Sequence, residues 1–297
     1  MKNLIYSILI SSTAIINLSA HDIWLEFDDK KDEVKLYFGE FEDKHLESGE
    51  KFSKIKEGIL YPSELLKEVK EKKHPEWMEQ VKEWKNKYPL QYTKKENEIK
   101  AQQAIEAISR ITKGEAVVIT DVGQHQMWTA QYYKFNKAGN FCSSGGAGTM
   151  GFGVPAGMGA QIGRPNDIVV SIVGDGGFQM TSQELMTIMQ YKLPVKTIIL
   201  NNEFLGMVRQ WQEIFHSKRY SSVDLSINPD FIKLADAYGM NAVKIEDPNK
   251  LDEELTKHLL SKEPVLIEIK ITKEANVFPM IPAGTSIHQL VGEKGEL

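Results

Sequence analysis

The chain holds a single cysteine, Cys142, in 297 residues. One thiol excludes an internal disulfide and any metal cluster built on several cysteines. Cys142 reads as a small side chain in a glycine-rich loop rather than as a reactive thiol. An excess of positive charge is missing too: 36 lysines and arginines against 41 acidic residues leave a formal net charge of -5. Without a basic field there is nothing to hold a polyanion, so nucleic acid is not an expected partner. An anionic cofactor would have to be met by a metal ion or by backbone amides. Long hydrophobic runs are also lacking. The stretch from Leu4 to Ile16 is broken by Tyr, Ser and Thr and falls short of the roughly 20 apolar residues that a spanning helix needs, so no stable membrane span is expected. No internal repeat or low-complexity tract occurs. What is present, 41% hydrophobic and 26% charged residues, is an ordinary globular balance with apolar mass enough for a sizeable core.

Residues 1–20 stand apart. Lys2, the apolar stretch after it and Leu18-Ser19-Ala20 before a possible cleavage point form a signal-peptide-like segment. Residues 21–62 read as a β-hairpin-rich fragment. Asp22 to Phe27 and Glu33 to Phe38 both alternate apolar with polar residues and flank the charged turn Asp28 to Asp32, which suggests a hairpin with one wet face. Residues 63–90 read as a helical linker, with Leu65, Val69, Trp77, Val81 and Trp84 at helical spacing and Pro89 closing the run.

From residue 91 to 297 the pattern becomes α/β. Helices are expected at 101–111, within 145–162, where a glycine-rich loop runs into a helix, and at 182–191, 231–238 and 251–260. Between them lie strand-like runs at 116–120, 168–173, 196–200, 242–245 and 265–271. Strands that are continuous Val/Ile/Leu runs and alternate with helices call for a parallel sheet with helices on both faces.

The chemistry concentrates in one βαβ unit. Strand Ile168 to Val173 runs into Gly174-Asp175-Gly176-Gly177, which places Asp175 at a strand's carboxyl end, where open α/β sheets bind ligands. Thr181 and Glu184 have the spacing of a capping box for the next helix. The following strand delivers Asn201-Asn202 one helix crossover later, to the same sheet edge. A carboxylate, an amide oxygen and backbone carbonyls are hard ligands suited to magnesium that also holds phosphate oxygens. Glycines let the backbone approach those phosphates closely. An Asn-rich turn with ordinary Asx hydrogen bonds is the plainer account of the same residues. A nicotinamide-dinucleotide reading is open through Gly151-Phe-Gly153-Val-Pro-Ala156, with Asp175 downstream. That fingerprint should follow a strand directly, whereas Ser143 to Met150 is a glycine-rich loop.

Three segments narrow the choice. Asp121-Val-Gly-Gln-His-Gln-Met-Trp128, Gly145-Gly-Ala-Gly-Thr-Met-Gly-Phe-Gly-Val-Pro155 and Asn201-Asn-Glu-Phe-Leu-Gly-Met-Val-Arg-Gln-Trp-Gln212, with the Gly-Asp-Gly motif and Pro279 to Gly284, resemble the acetolactate (acetohydroxyacid) synthase large subunit from about residue 64 onward. The resemblance implies thiamine diphosphate and Mg2+ as cofactors. Asp175, Asn202 and the Phe204 carbonyl would bind the metal. Gly176, Gly177 and the Gln124-His125 loop would serve the diphosphate, and Gly148, Gly174, Met150 and Met207 would lie at the cofactor. Val208 and Trp211 match residues of the substrate pocket. The implied reaction is carboligation of pyruvate with a second 2-keto acid, in branched-chain amino acid biosynthesis, with another thiamine-diphosphate carboligase or decarboxylase as an alternative.

The family's activating glutamate sits on a pyrimidine-binding domain whose pattern is not found here, so no catalytic residue is assigned. The chain on its own is expected to be inactive, to need a chain that supplies that domain in an oligomer, and not to bind fully the FAD of the complete family enzyme. Residues 21–60, starting at His21-Asp22-Ile23-Trp24, resemble exported proteins of nickel or cobalt uptake, in which a freed His21 terminus could hold a metal. An exported metal-binding fragment is therefore a second reading, and the fusion looks like a composite of two unrelated sequences. The family points to the cytoplasm and the N-terminal segment to export.

Overall fold

The structure, a computed structural model, describes residues 74–282, 289–292 and 295–296, and the strands at 22–28, 33–40 and 45–46. It divides into two compact units, 1–89 and 90–297. In the first, β1 (Asp22–Asp28) pairs antiparallel with β2 (Glu33–Glu40), Leu25 opposite Leu36, and β3 (His45–Leu46) joins β2. The hairpin expected from the alternation is present. Helix α1 (Pro75–Lys87) begins with proline at a position that needs no N–H donor, with Glu76 in its first turn and Lys85 and Lys87 in its last. Its Trp77 and Trp84 meet edge to face, ring centroids 5.5 Å apart, and none of its residues is buried. The signal-like residues 1–20, His21 and the linker before residue 74 lie outside the described residues.

The second unit is built on a six-stranded sheet. In chain order its elements are α2 (Ala101–Ile111), β4 (Val117–Thr120), α3 (Gln124–Tyr132), β5 (Phe141–Ser143), α4 (Gly153–Gly163), β6 (Val169–Gly174) and α5 (Asp175–Met180). Then come α6 (Glu184–Tyr191), β7 (Lys196–Asn201), α7 (Gly206–Phe215), α8 (Phe231–Ala237), β8 (Asn241–Ile245), α9 (Leu251–Leu259) and β9 (Val265–Lys270). The strand order is β5-β4-β6-β7-β9-β8, and every pairing is parallel. The chain leaves β4 toward β5 on one side and returns to β6 on the other. The carboxyl ends of β4 and β6 therefore flank a topological switch point, the crevice where such sheets take ligands.

Side chains divide by the two-residue period of a strand. Val118, Val170, Ile172, Ile198, Leu200, Ile267 and Ile269 pack with α2, α3 and α9 through Ile105, Ile108, Trp128, Leu251 and Leu255. Val173, Ile199 and Leu266 face the other way and meet Val154, Phe178, Leu185, Ile188 and Phe231 of α4, α5, α6 and α8. Val117, Ile119 and Val169 share that second face with Phe152, Ala156 and Ala160. Burying each such aliphatic side chain stabilises the fold by about 1.5–3 kcal/mol, and both faces need a helical cover for this to happen.

Three local expectations are corrected. Cys142 sits in edge strand β5 rather than in the glycine-rich loop, and it is exposed. Gln124 and His125 open a helix, not a loop, because Gly123 ends the β4 turn and the next residues continue helically. The capping box does not form. Thr181 Oγ1 donates to the Gly151 carbonyl at 3.1 Å, and the Glu184 carboxylate accepts from Thr187 instead of reaching back.

Candidate cofactor and metal site

A cavity of about 60 Å³ opens at the carboxyl ends of β4, β6 and β7. Its walls include His125, Met150, Asp175, Asn202, Phe204 and Val208. Strand β6 ends at Gly174, and Asp175 becomes the first residue of α5 with its side chain 1% exposed. Burial pushes the Asp175 carboxyl up to about 6, against the opposing pull of hydrogen bonds from Asn228 and from the backbone amides of Asp175 and Gly176. The Asn228 contact is direct, Nδ2 to Oδ2 at 2.7 Å.

Strand β7 delivers Asn201 and Asn202. Both close Asx turns, Asn201 Oδ1 accepting from Glu203 N at 3.0 Å and Asn202 Oδ1 from Phe204 N at 3.2 Å. The plainer account of these asparagines is thus realised, and it is compatible with metal binding, since an amide oxygen keeps a second lone pair. Among the described residues no group of three or more His, Cys, Asp and Glu is arranged to hold a metal. The donor set at this cavity is one carboxylate, an amide oxygen and backbone carbonyls, which suits a hard cation that retains other oxygen ligands.

Gln124 and His125 behave differently from each other. The Gln124 amide is fully engaged within the protein. It donates to Gln210 Oε1 at 2.7 Å and to the Ala275 carbonyl at 2.9 Å, and accepts from Asn202 Nδ2 at 3.4 Å. Its side chain therefore steadies Asn202 and is not free for a phosphate. His125 is buried, and burial lowers its pKa to about 4, leaving a neutral ring. One ring nitrogen is hydrogen-bonded to the Asp121 backbone, while Nε2 has no partner. An unpartnered buried polar atom in the wall of a cavity fits an intended ligand contact.

The remaining expected residues divide. Gly174, Gly176, Gly177, Met207 and Val208 line the cavity, but Gly148 does not; it is exposed in the loop before α4. Trp211 does not line it either. It stacks on Phe215 at 5.0 Å and borders a neighbouring groove of about 430 Å³ that shares Val208 with the cavity.

Two residues that sequence reasoning did not single out organise the site. Asp121, wholly buried after β4, accepts from the N–H groups of Val122 at 2.8 Å, Gly151 at 3.0 Å and Gly153 at 2.8 Å. It thereby caps α4 from another element. This also disposes of the dinucleotide reading, because the amides that would receive a pyrophosphate already hold a carboxylate. The second residue is Asn228, described above. Its only local signal was an Asn-Pro pair before a helix.

Gly206, at the start of α7, has no room for a side chain. A Cβ there would lie 2.2 Å from Gln124 Oε1 and 2.8 Å from Asn202 Nδ2. Because Gln124 is pinned at its other end, Gly206→Ala is expected to cost about 1–3 kcal/mol by overpacking. The measurement is a urea midpoint, which should fall at constant m-value; an unchanged midpoint would mean that Gln124 swings aside freely.

Comparison with known proteins agrees with this geometry. Residues 121–269 match the family described as thiamine pyrophosphate enzyme, C-terminal TPP binding domain. The chain is 46% identical over 217 residues to the acetolactate synthase large subunit of Lactococcus lactis, a match covering 73% of this chain and 38% of that protein. It is 40% identical over 245 residues to the mitochondrial acetolactate synthase of Schizosaccharomyces pombe, covering 79% and 36%. With the large subunit of Haemophilus influenzae the identity is 42% over 219 residues, covering 73% and 38%. The chain thus spans little more than a third of the length of these relatives. The likeness of residues 21–60 to nickel- or cobalt-uptake proteins is not borne out. Among the described residues no helix is long and apolar enough to cross a membrane. With a parallel sheet, a switch-point cavity and a family match that begins at Asp121 and runs through both strand-end motifs, this chain belongs to the thiamine pyrophosphate enzymes and carries their C-terminal cofactor-binding domain.

Proposed function

We propose that the chain forms the diphosphate- and metal-binding end of a thiamine-diphosphate-dependent carboligase of the acetolactate synthase type, acting on pyruvate and a second 2-keto acid. The observation that carries the reading is the meeting of Asp175, Asn202 and Phe204 in one cavity at adjacent strand ends. In this reading the Asp175 carboxylate, the Asn202 amide oxygen and the Phe204 carbonyl hold Mg2+. Gly176 and Gly177 let the backbone approach the diphosphate, and His125 Nε2 offers a polar contact to the same end. When bound, thiamine diphosphate supplies the carbon nucleophile for attack on a keto carbon and stabilises the charge left by decarboxylation. Met150, Met207 and Leu205 give that end an apolar wall that excludes water. Val208 and Trp211 border the groove beside the cavity and would meet the second keto acid. The acid-base group serving the aminopyrimidine would come from a pyrimidine-binding domain. Residues 91–297 act as the cofactor-binding domain, with 63–90 as a linker. No residue here is assigned to FAD.

The test uses Trp128, buried beside the cavity, as an internal fluorescent reporter. Saturable thiamine diphosphate binding that needs Mg2+ is expected, and acetolactate should form from pyruvate once a pyrimidine-binding domain is supplied in trans. Binding indifferent to Mg2+ would overturn the metal assignment. Acetaldehyde as the sole product would favour a decarboxylase.

A further inference from the structure

Resting on the assignment of Asp175 as a metal ligand, we propose that Asn228 is a positioning residue for the metal site: its amide fixes the rotation of the Asp175 carboxylate, leaving Oδ1 to the cation. The Asn228 side chain is held at both ends. Nδ2 donates to Asp175 Oδ2 at 2.7 Å and lies 3.4 Å from Asn201 Oδ1. Oδ1 accepts from Gln179 Nε2 at 2.9 Å. An ionised carboxylate and an amide oxygen can only accept, so the NH2 end of Asn228 must face them, and the Gln179 donor requires the same orientation.

The backbone around Asn228 serves the other metal-binding loop. Leu205 N donates to the Val223 carbonyl at 2.9 Å and Leu225 N to the Glu203 carbonyl at 2.9 Å, which pairs Asp224 with Phe204 as an antiparallel bridge. Leu225 also lies against Gly176, close enough that a Cβ there would meet it at 3.1 Å. The segment from Val223 to Asn228 thus straps together the loop that presents the Phe204 carbonyl and the carboxylate that opens α5. Octahedral magnesium at about 2.0–2.1 Å tolerates little error in ligand placement, whereas calcium accepts longer and less regular contacts. A strap that fixes two ligands relative to each other is therefore expected to favour the smaller ion. Outer partners of this kind typically change metal affinity by about 10- to 100-fold.

The experiment uses the full chain with thiamine diphosphate and follows tryptophan fluorescence while Mg2+ or Ca2+ is titrated. Unfolding temperature without metal or cofactor serves as the structural control. For Asn228→Ala the Mg2+ concentration at half-saturation should rise about 10- to 100-fold, the preference for Mg2+ over Ca2+ should narrow, and the control should move little. Gln179→Ala, which removes the brace from Asn228 and leaves its contact with Asp175 in place, should shift the Mg2+ requirement the same way by less. It carries the test if Asn228→Ala does not fold. Half-saturation and ion preference unchanged in a folded variant would overturn the inference while leaving the cofactor assignment intact. A native chain that shows no metal-dependent binding would overturn both.

Discussion

Asp175→Asn is expected to abolish Mg2+-dependent thiamine diphosphate binding and at the same time to make the metal-free domain more stable. The carboxylate is 1% exposed and is hydrogen-bonded by neutral groups, so burial raises its pKa from 3.8 to about 6. A carboxyl whose folded pKa lies above its unfolded value favours the fold when protonated, and that contribution is lost as pH rises from about 4 to 6. At pH 7 the ionised group therefore costs the metal-free domain about 3 kcal/mol. The isosteric amide carries no charge and escapes that cost. Metal binding runs the other way. Unit charges 4 Å apart attract by about 4 kcal/mol at an effective dielectric of 20, and about 1.4 kcal/mol is tenfold in affinity. A loss of about 100-fold or more is therefore expected when the carboxylate is removed. Two measurements decide it. Urea unfolding without metal should show Asp175→Asn more stable than the native chain at pH 7, with the gap closing toward pH 4. Fluorescence titration should show no saturation at millimolar Mg2+. A variant that binds as the native chain does would falsify the metal assignment.

Asp121→Ala is expected to be the most destabilising single change near the site. The carboxylate is wholly buried and accepts three backbone N–H groups, those of Val122, Gly151 and Gly153. Gly177 packs so closely against it that a Cβ there would lie 2.5 Å from Oδ1. Removing it leaves these donors unpaired in a site closed to water and takes the cap from α4, whose own N-cap residue, Phe152, makes no side-chain cap. Loss of a buried charged partner of this kind costs about 3–5 kcal/mol. At about 2–4 °C per kcal/mol for a domain of this size, the unfolding temperature should fall by roughly 10 °C or more. Asp121→Asn should lose nearly as much, since its NH2 group would face an N–H donor. If Asp121 instead met the cofactor directly, either variant would weaken binding at unchanged unfolding temperature, and that result would sink the structural assignment.

The sequence by itself determined the layered α/β class, most strand positions and the residues at the ends of β6 and β7. These follow from local facts: runs of Val and Ile long enough for strands, helical spacing between them, and Gly-Asp-Gly and Asn-Asn at the points where the strands stop. It also carried a false local signal, the Thr181 and Glu184 pair. Their capping box lost to tertiary partners, because Thr181 finds the Gly151 carbonyl. Only the tertiary structure decided the strand order that puts β4 beside β6 and so creates the crevice. It likewise decided that the Gln124 amide is spent on Gln210, Ala275 and Asn202, and that Trp211 lies outside the cavity. Asp121 and Asn228 belong to the same group: their partners lie 30 and 53 residues away along the chain at Gly151 and Asp175. Periodicity and capping rules act over a few residues. A buried carboxylate or amide takes whichever donor or acceptor the packed sheet brings within reach, and that depends on which strands become neighbours.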